Sequence, residues 1–228
     1  MMVESFASPI ELYAAPLCPF AHRTRLTLSE KNISARVVDI DLRNKPAGFL
    51  RLSPQGKVPL LKIGDDCLWE SAVIDEYLEE MAPEPALLPD GAFQRARARA
   101  WIRFADTRLY ANTERLLHAG SDEARTVALA ALHEDLRYLA DHAFARAANG
   151  GPYWMGAQFT LVDVTFFPWF EQSTVLEKFF GLQWPAKVDE LRRWQEQVAA
   201  RPAVRAESRP PSFYLGAYAA LAKPKAGH

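Results

Sequence analysis

The stretch LYAAPLCPFAHRTRLTL, residues 12–28, decides the fold of this chain. Residues 11–15 predict a strand, and the residues from Phe20 to Asn32 predict a helix. Pro19 suits the first position of a helix, because its φ is already helical and its missing N–H is not needed there. Cys18 therefore stands where the strand passes into the helix, beside the unpaired N–H groups of the first helical turn.

Cys18 has two interpretations. The positive end of a helix favours a thiolate and can lower a cysteine pKa from about 8.5 to between about 3.5 and 7.5. The alternative is a small buried hydrophobic residue. The strand-Cys-Pro-helix context favours a reactive thiolate. Position 21 is Ala, so the chain lacks the second thiol of a Cys-x-x-Cys motif, and Cys67 lies in another predicted strand and is interpreted as a packing residue.

The composition excludes several classes of protein. With 228 residues, 49% of them hydrophobic, the chain can bury the core of one large or two small domains. A net charge of −1 gives no electrostatic case for binding nucleic acid. Two cysteines make neither a disulfide framework nor a zinc site, which is typical of a reducing, cytoplasmic setting. No apolar run is long enough to span a membrane, and residues 1–13 do not resemble a secretory signal.

The chain divides into two parts of different character. Residues 1–81 predict the order strand, helix, strand, helix, hairpin and helix, which is typical of a compact α/β domain. Residues 82–91, APEPALLPDG, contain four proline or glycine residues and predict a linker. In residues 92–228 the apolar side chains recur at helical spacing, which predicts an all-helical domain.

Four segments resemble the omega class of the glutathione S-transferases. CPFAHRTRLTL is similar to the active-site stretch of that class. DIDLRNKPAGFLRLSPQGKVPLL and WESAVIDEYLEE follow in the order of the family, and FTLVDVTFFPWFEQ resembles its buried sixth helix. The resemblance implies an α/β thioredoxin-like N-terminal domain and an all-α C-terminal helical bundle domain. It also implies glutathione as co-substrate and a homodimer.

The resemblance assigns the glutathione site residue by residue. Cys18 would be the catalytic thiolate, and Val58 would pair its backbone with the cysteinyl part of glutathione, before a cis bond to Pro59. Glu70 would hold the γ-glutamyl ammonium group and Ser71 the carboxylate, since a helix N-terminus binds anions. The alternatives are an ordinary edge-strand proline at Pro59 and a simple helix cap at Ser71.

Further residues have assignments that depend more on the family. Lys45 matches a lysine that pairs with the glycyl carboxylate, although it could be a solvated surface residue. Phe20 matches a residue beside the sulfur or packs within the helix. Trp169 and Tyr214 would line the acceptor pocket. Gln172 stands where the animal omega pattern has arginine, so the acceptor can differ from theirs.

The resemblance implies thiol-transfer chemistry. The Cys18 thiolate would form a mixed disulfide with glutathione, which a second glutathione releases. The expected acceptors are small hydrophobic or disulfide compounds, such as glutathionyl mixed disulfides, dehydroascorbate and α-glutathionyl ketones. The alternatives are a transferase that conjugates glutathione to electrophiles and a scaffold protein that keeps the fold without catalysis.

Overall fold

The computed structural model describes residues 8–143 and 151–219. Its first part alternates strands and helices, as predicted. In chain order these are β1 (Ile10–Ala14), α1 (Pro19–Glu30), β2 (Arg36–Asp39), α2 (Ala47–Leu52), β3 (Leu60–Ile63), β4 (Asp66–Trp69) and α3 (Ser71–Met81). The predicted order of elements in this part is confirmed, with ends that differ by one or two residues.

The four strands form one mixed sheet in the order β2-β1-β3-β4. β1 runs parallel to β2 and antiparallel to β3, and β3 forms a hairpin with β4. Because β1 lies in the interior of the sheet, its alternate residues Ile10, Leu12 and Ala14 are buried. Because β1 has a neighbour on each side, the loop that follows it and carries Cys18 starts from the middle of the sheet.

The end of α1 differs from the prediction. The helix ends at Glu30, two residues earlier than the sequence pattern indicates. Asn32 adopts φ 53°, a left-handed conformation that Asn tolerates better than most residues, and the helix cannot continue through it.

The second part is helical throughout the described residues. Its elements are α4 (Ala92–Phe104), a π-helix (Ala105–Tyr110), α5 (Ala111–Leu117), α6 (Asp122–His142), α7 (Leu161–Phe180), α8 (Asp189–Ala199), α9 (Pro202–Glu207) and α10 (Pro211–Ala219). The apolar faces predicted from periodicity point inward, as Leu132 and Leu136 of α6 and Leu191 of α8 show. The π-helix, whose wider turns are frequent at functional sites, was not predicted.

Helix α1 packs on both parts of the molecule. Its Ala21 and Leu28 belong to the core beneath the sheet, whereas Leu26 belongs to the helical core.

The predicted fold class, a thioredoxin-like α/β domain followed by a helical bundle domain, is confirmed. The exact division at residues 82–91 stays a prediction. None of the helices in the described part of the chain combines the length and apolar composition that a membrane crossing needs.

Candidate functional site

Cys18 is the N-cap residue of α1 and is half-buried. The turn that follows β1 places it there, with its own N–H donating to the carbonyl of Ala15 at 3.0 Å. Its Sγ donates a hydrogen bond to the carbonyl oxygen of Val58 at 3.6 Å. The peptide bond between Val58 and Pro59 is cis, as predicted. The structure thus brings Cys18, Val58 and Pro59 together, although 40 residues separate the first two.

The electrostatics of Cys18 correct the prediction. Burial raises the pKa of the Cys18 thiol, and this outweighs the hydrogen bonds from the backbone N–H groups of Ala21 and Phe20, which lower it. The charges of Arg23 and Arg25 lower it as well, with a smaller effect. The expected lowering of this pKa is therefore wrong. Removal of the sulfur from water destabilises the thiolate by more than the N–H groups at the helix N-terminus stabilise it.

Glu70 and Ser71 open α3, as predicted. Glu70 has φ 67°, an uncommon conformation for a residue other than glycine, and its side chain is exposed. Ser71 is buried, with 3% of its surface exposed. Its Oγ accepts a hydrogen bond from Nε of Arg23 at 2.7 Å, which leaves the hydroxyl proton of Ser71 free to be donated.

Arg23 was missed by sequence reasoning. It is almost fully buried and reaches across to Asp106 of the π-helix, with Nη1 2.8 Å from Oδ1. Asp75 of α3 lies 4.0 Å from its Nε. The guanidinium thus links α1 to Ser71, the predicted carboxylate-binding residue, and to Asp106 in the helical domain. A charged residue within the otherwise buried face of α1 was the signal that could have identified it.

Lys45 lies in the loop before α2 and is half-buried. Its ammonium group lies over Gly56, 3.7 Å from the point where a Cβ would stand. Within the described residues it forms no ion pair. Gly56 belongs to the loop that leads to Val58, so Lys45 lies on the same side of the domain as the predicted glutathione residues.

A cavity of about 360 Å³ opens beside Cys18. Its walls come from the start of α1, the π-helix, α5, α7 and α10. Phe20 contributes a ring whose centre is 4.7 Å from that of Tyr110, and Trp169 is fixed by a hydrogen bond from its Nε1 to Oγ1 of Thr113 at 2.7 Å. Predicted acceptor residue Trp169 and predicted site residue Phe20 therefore meet at this cavity, together with the sulfur of Cys18.

Tyr214 does not line this cavity, and that prediction is corrected. Its ring is fully buried, and its hydroxyl donates to Oε1 of Glu171. Tyr218, one turn later on α10, lines the cavity instead, and burial raises its pKa. Tyr214 and Tyr218 lie one turn apart on the same face of α10. The sequence analysis therefore identified the correct face of the helix but named the residue one turn before the one that lines the cavity.

A second cavity, of about 510 Å³, lies along another face of α7. Phe167, Glu171, Trp184 and Arg192 are among its lining residues, and Cys18 is not. The smaller cavity is therefore the candidate acceptor site, because Cys18 lines it.

Comparison with known proteins agrees with this architecture. Residues 12–86 match the family described as glutathione S-transferase, N-terminal domain, and residues 92–196 match the corresponding C-terminal domain. The chain is 30% identical to pig glutathione S-transferase omega-1, over 86% of this chain and 79% of that protein.

Two solved structures resemble the fold closely. A tau-class glutathione S-transferase from mango has a TM-score of 0.85 and 26% identity, over 93% of this chain and 98% of that one. Rice GST1, solved in complex with glutathione, has a TM-score of 0.84 and 26% identity, over 97% of this chain and 99% of that one. The two matched families, the omega-class relative and the α/β domain joined to a helical bundle lead to one conclusion: this chain belongs to the glutathione S-transferase family.

Proposed function

We propose that this protein is an omega-like, glutathione-dependent thioltransferase in which Cys18 carries the glutathionyl group. Family membership makes glutathione the co-substrate. The observation that supports this mechanism is the position of the Cys18 sulfur, which lies between the carbonyl of Val58 and the acceptor cavity. A bound glutathione would approach the sulfur from the side of Val58, and an acceptor would approach it from the cavity.

The chemistry is two successive thiol–disulfide exchanges. The Cys18 thiolate attacks the glutathionyl sulfur of a mixed disulfide. A disulfide bond between Cys18 and that sulfur forms as the original disulfide bond breaks, and the other half of the substrate leaves as a thiolate that takes up a proton. A second glutathione thiolate then attacks the glutathionyl sulfur on Cys18. Oxidised glutathione leaves and the Cys18 thiolate is restored. The N–H groups of Phe20 and Ala21 stabilise the negative charge each time that it returns to Cys18.

The remaining predicted residues would hold glutathione. Ser71 would donate its hydroxyl proton to the γ-glutamyl carboxylate while it accepts from Arg23, and Glu70 would pair with the ammonium group. Val58 would pair with the cysteinyl backbone as an added strand does. Lys45 would approach the glycyl carboxylate. A homodimer, a cytoplasmic setting and the domain division at residues 82–91 are part of the same proposal.

Conjugation of glutathione to electrophiles is the second candidate. The raised pKa of Cys18 favours it, because a neutral thiol can donate a hydrogen bond to the ionised sulfur of glutathione. In that mechanism Cys18 stays covalently unmodified and a hydroxyl could replace it.

Substitution of Cys18 separates the two mechanisms. We expect Cys18→Ser to abolish reduction of glutathionyl mixed disulfides, with a loss of at least about 10³-fold, because a hydroxyl cannot form the disulfide intermediate. Glutathione binding, measured by calorimetry, should persist. Mass spectrometry of the wild-type protein after exposure to oxidised glutathione should show one glutathione on Cys18. A serine variant that conjugates an aromatic electrophile at undiminished rate, from a wild type without reductase activity, would establish the second candidate instead.

A further inference from the structure

The cavity beside Cys18 contains an unsatisfied polar atom. Gln172 of α7 lines the cavity, and its Nε2 is buried without a hydrogen-bond partner among the described residues. A buried donor that bonds neither protein nor water is costly, and most such groups in native proteins have a partner. A bound molecule with an acceptor atom opposite Gln172 would satisfy this donor.

The charge around the cavity has one sign. Among the described residues that line it, Glu114 carries the only permanent charge, and its carboxylate is exposed at the rim. His118 caps the C-terminal end of α5 and also lines the cavity. In that set the other acidic or basic side chains are the weakly acidic Cys18 and the tyrosines. Neither Lys nor Arg lines the cavity within the described chain.

The two arginines of α1 that act on Cys18, Arg23 and Arg25, do not line the cavity. The guanidinium of Arg23 stands 5.2 Å from the centre of the Phe20 ring and is paired with Asp106 at 2.8 Å. The positive charges of Arg23 and Arg25 have a small effect on the Cys18 sulfur. A molecule that enters meets the Glu114 carboxylate at the rim and a neutral amide inside.

We propose that this cavity selects mixed disulfides of glutathione by their leaving thiol. The preferred leaving thiol is uncharged or positively charged, and an atom that accepts a hydrogen bond from Gln172 strengthens its binding. This inference rests on the proposed thioltransferase function, since the leaving thiol occupies the cavity while Cys18 takes the glutathionyl group. Anionic leaving groups are disfavoured because Glu114 repels them and the described wall offers no cation in return.

Four mixed disulfides of glutathione test the proposal in the wild-type protein. Their leaving thiols are cysteamine, which is cationic, 2-mercaptoethanol, which is neutral, 3-mercaptopropionate, which is anionic, and ethanethiol, which lacks a polar atom. The glutathionyl half is identical, so its own contacts cancel in the comparison. Each kcat/KM is divided by the rate of uncatalysed exchange with free glutathione, because leaving thiols differ in intrinsic reactivity.

We expect the normalised kcat/KM for 3-mercaptopropionate to fall about threefold below that for 2-mercaptoethanol at low ionic strength, because both offer an oxygen to Gln172 and only the first is anionic. Cysteamine, whose ammonium has no acceptor atom, should exceed ethanethiol, which also lacks one, by about threefold. Both differences should shrink in high salt, because Glu114 is exposed and its charge is screened. 2-Mercaptoethanol should exceed ethanethiol by about fivefold, because its oxygen can accept from Gln172.

Variants assign each preference to its residue. Glu114→Gln should remove the difference between 3-mercaptopropionate and 2-mercaptoethanol and the difference between cysteamine and ethanethiol, and Gln172→Arg should favour 3-mercaptopropionate. Gln172→Leu, of similar size, should remove the preference for 2-mercaptoethanol over ethanethiol. The matched control is Glu80→Gln, which removes one exposed carboxylate from α3, outside the cavity, and should keep the wild-type order.

The outcomes separate this inference from the proposed function. Turnover of all four substrates with equal normalised kcat/KM, or a preference for the anionic thiol, would overturn the inference and leave the thioltransferase function intact. A charge preference that survives unchanged in Glu114→Gln would overturn it as well. Absence of turnover with every substrate would overturn the proposed function itself.

Discussion

At the scale of single residues, Cys18 is subject to opposing effects. Burial raises the pKa of its thiol, while the first N–H groups of α1 and the charge of Arg23 lower it. The net direction is upward, so the neutral thiol predominates at neutral pH. A thiolate that forms from a thiol of higher pKa is the stronger nucleophile, which partly offsets its low population.

The resulting pH dependence can be measured at Cys18 directly. We expect its alkylation by iodoacetamide to be slow at neutral pH and to accelerate through a pKa above the ordinary value of about 8.5, because the thiolate is the reacting form. The sign for stability follows from the same shift. The unfolded chain ionises first, so the contribution of Cys18 to stability is present below pH of about 8.5 and is lost as the pH rises toward the folded pKa.

Peptide mapping by mass spectrometry distinguishes Cys18 from Cys67, and the Cys67→Ser variant serves as the control. A rate of Cys18 alkylation that is already constant from pH of about 6 upward would contradict the prediction. It would mean that the helix N-terminus outweighs burial, as the sequence alone suggests.

At the scale of elements, the start of α7 depends on one buried carboxylate. Thr160 and Asp163 form a capping box. Asp163 also accepts from the backbone N–H of Trp154 at 2.8 Å and from Nε1 of Trp194 at 2.7 Å. It therefore joins the loop before α7, the helix itself and α8. Since α7 carries Trp169 and Gln172, this carboxylate supports one wall of the acceptor cavity.

Asp163→Ala should destabilise the fold by about 3–5 kcal/mol, because several buried donors lose their acceptor at once. The matched control is Ser121→Ala at the start of α6, where the cap accepts a single bond from the N–H of Ala124 in an exposed position. That change should cost about 1 kcal/mol. Urea unfolding monitored by circular dichroism compares the two, and equal losses would show that the Asp163 contacts add nothing beyond an ordinary cap.

At the scale of the whole molecule, α1 joins the two domains through charged side chains. Arg201, at the start of α9, donates to both carboxylate oxygens of Glu30, at 2.7 and 2.6 Å. Its guanidinium also lies 4.2 Å from the centre of the Phe159 ring. Arg23 and Asp106 make a second link between α1 and the helical domain. Because Cys18 is the N-cap residue of α1, the helical domain helps to fix the position of its sulfur.

Loss of the Arg201 link should therefore lower the free energy of unfolding of the whole protein. We expect Arg201→Ala to cost about 3 kcal/mol, because Glu30 is left buried and unpaired. Arg99→Ala is the matched control: Arg99 also binds a carboxylate, that of Glu76, through two nitrogens, but it is 48% exposed. It should cost less than about 1 kcal/mol. Chemical denaturation gives both values, and equal costs would refute a special role for the Arg201 link.

Local signals in the sequence were enough for the elements and for part of the site. The helical spacing of apolar residues and the position of Pro19 after the first strand depend on neighbours along the chain, and such patterns predict local structure. The strand-Cys-Pro-helix context singled out Cys18, and the family resemblance assigned Ser71 and the cis bond before Pro59. The cis bond is confirmed, whereas the roles of Cys18 and Ser71 stay predictions.

The rest depended on contacts between residues that are distant in sequence. The direction of the Cys18 pKa is set by how deeply the packed domains desolvate the sulfur, and no local motif encodes that depth. Arg23 meets Ser71 and Asp106 only after α1 has packed against both domains. Tyr218 rather than Tyr214 faces the cavity because the packing of α10 on α7 selects the turn. By itself the sequence determined the order of elements and the family; the tertiary structure decided the protonation, support and surroundings of Cys18, because these are properties of packing.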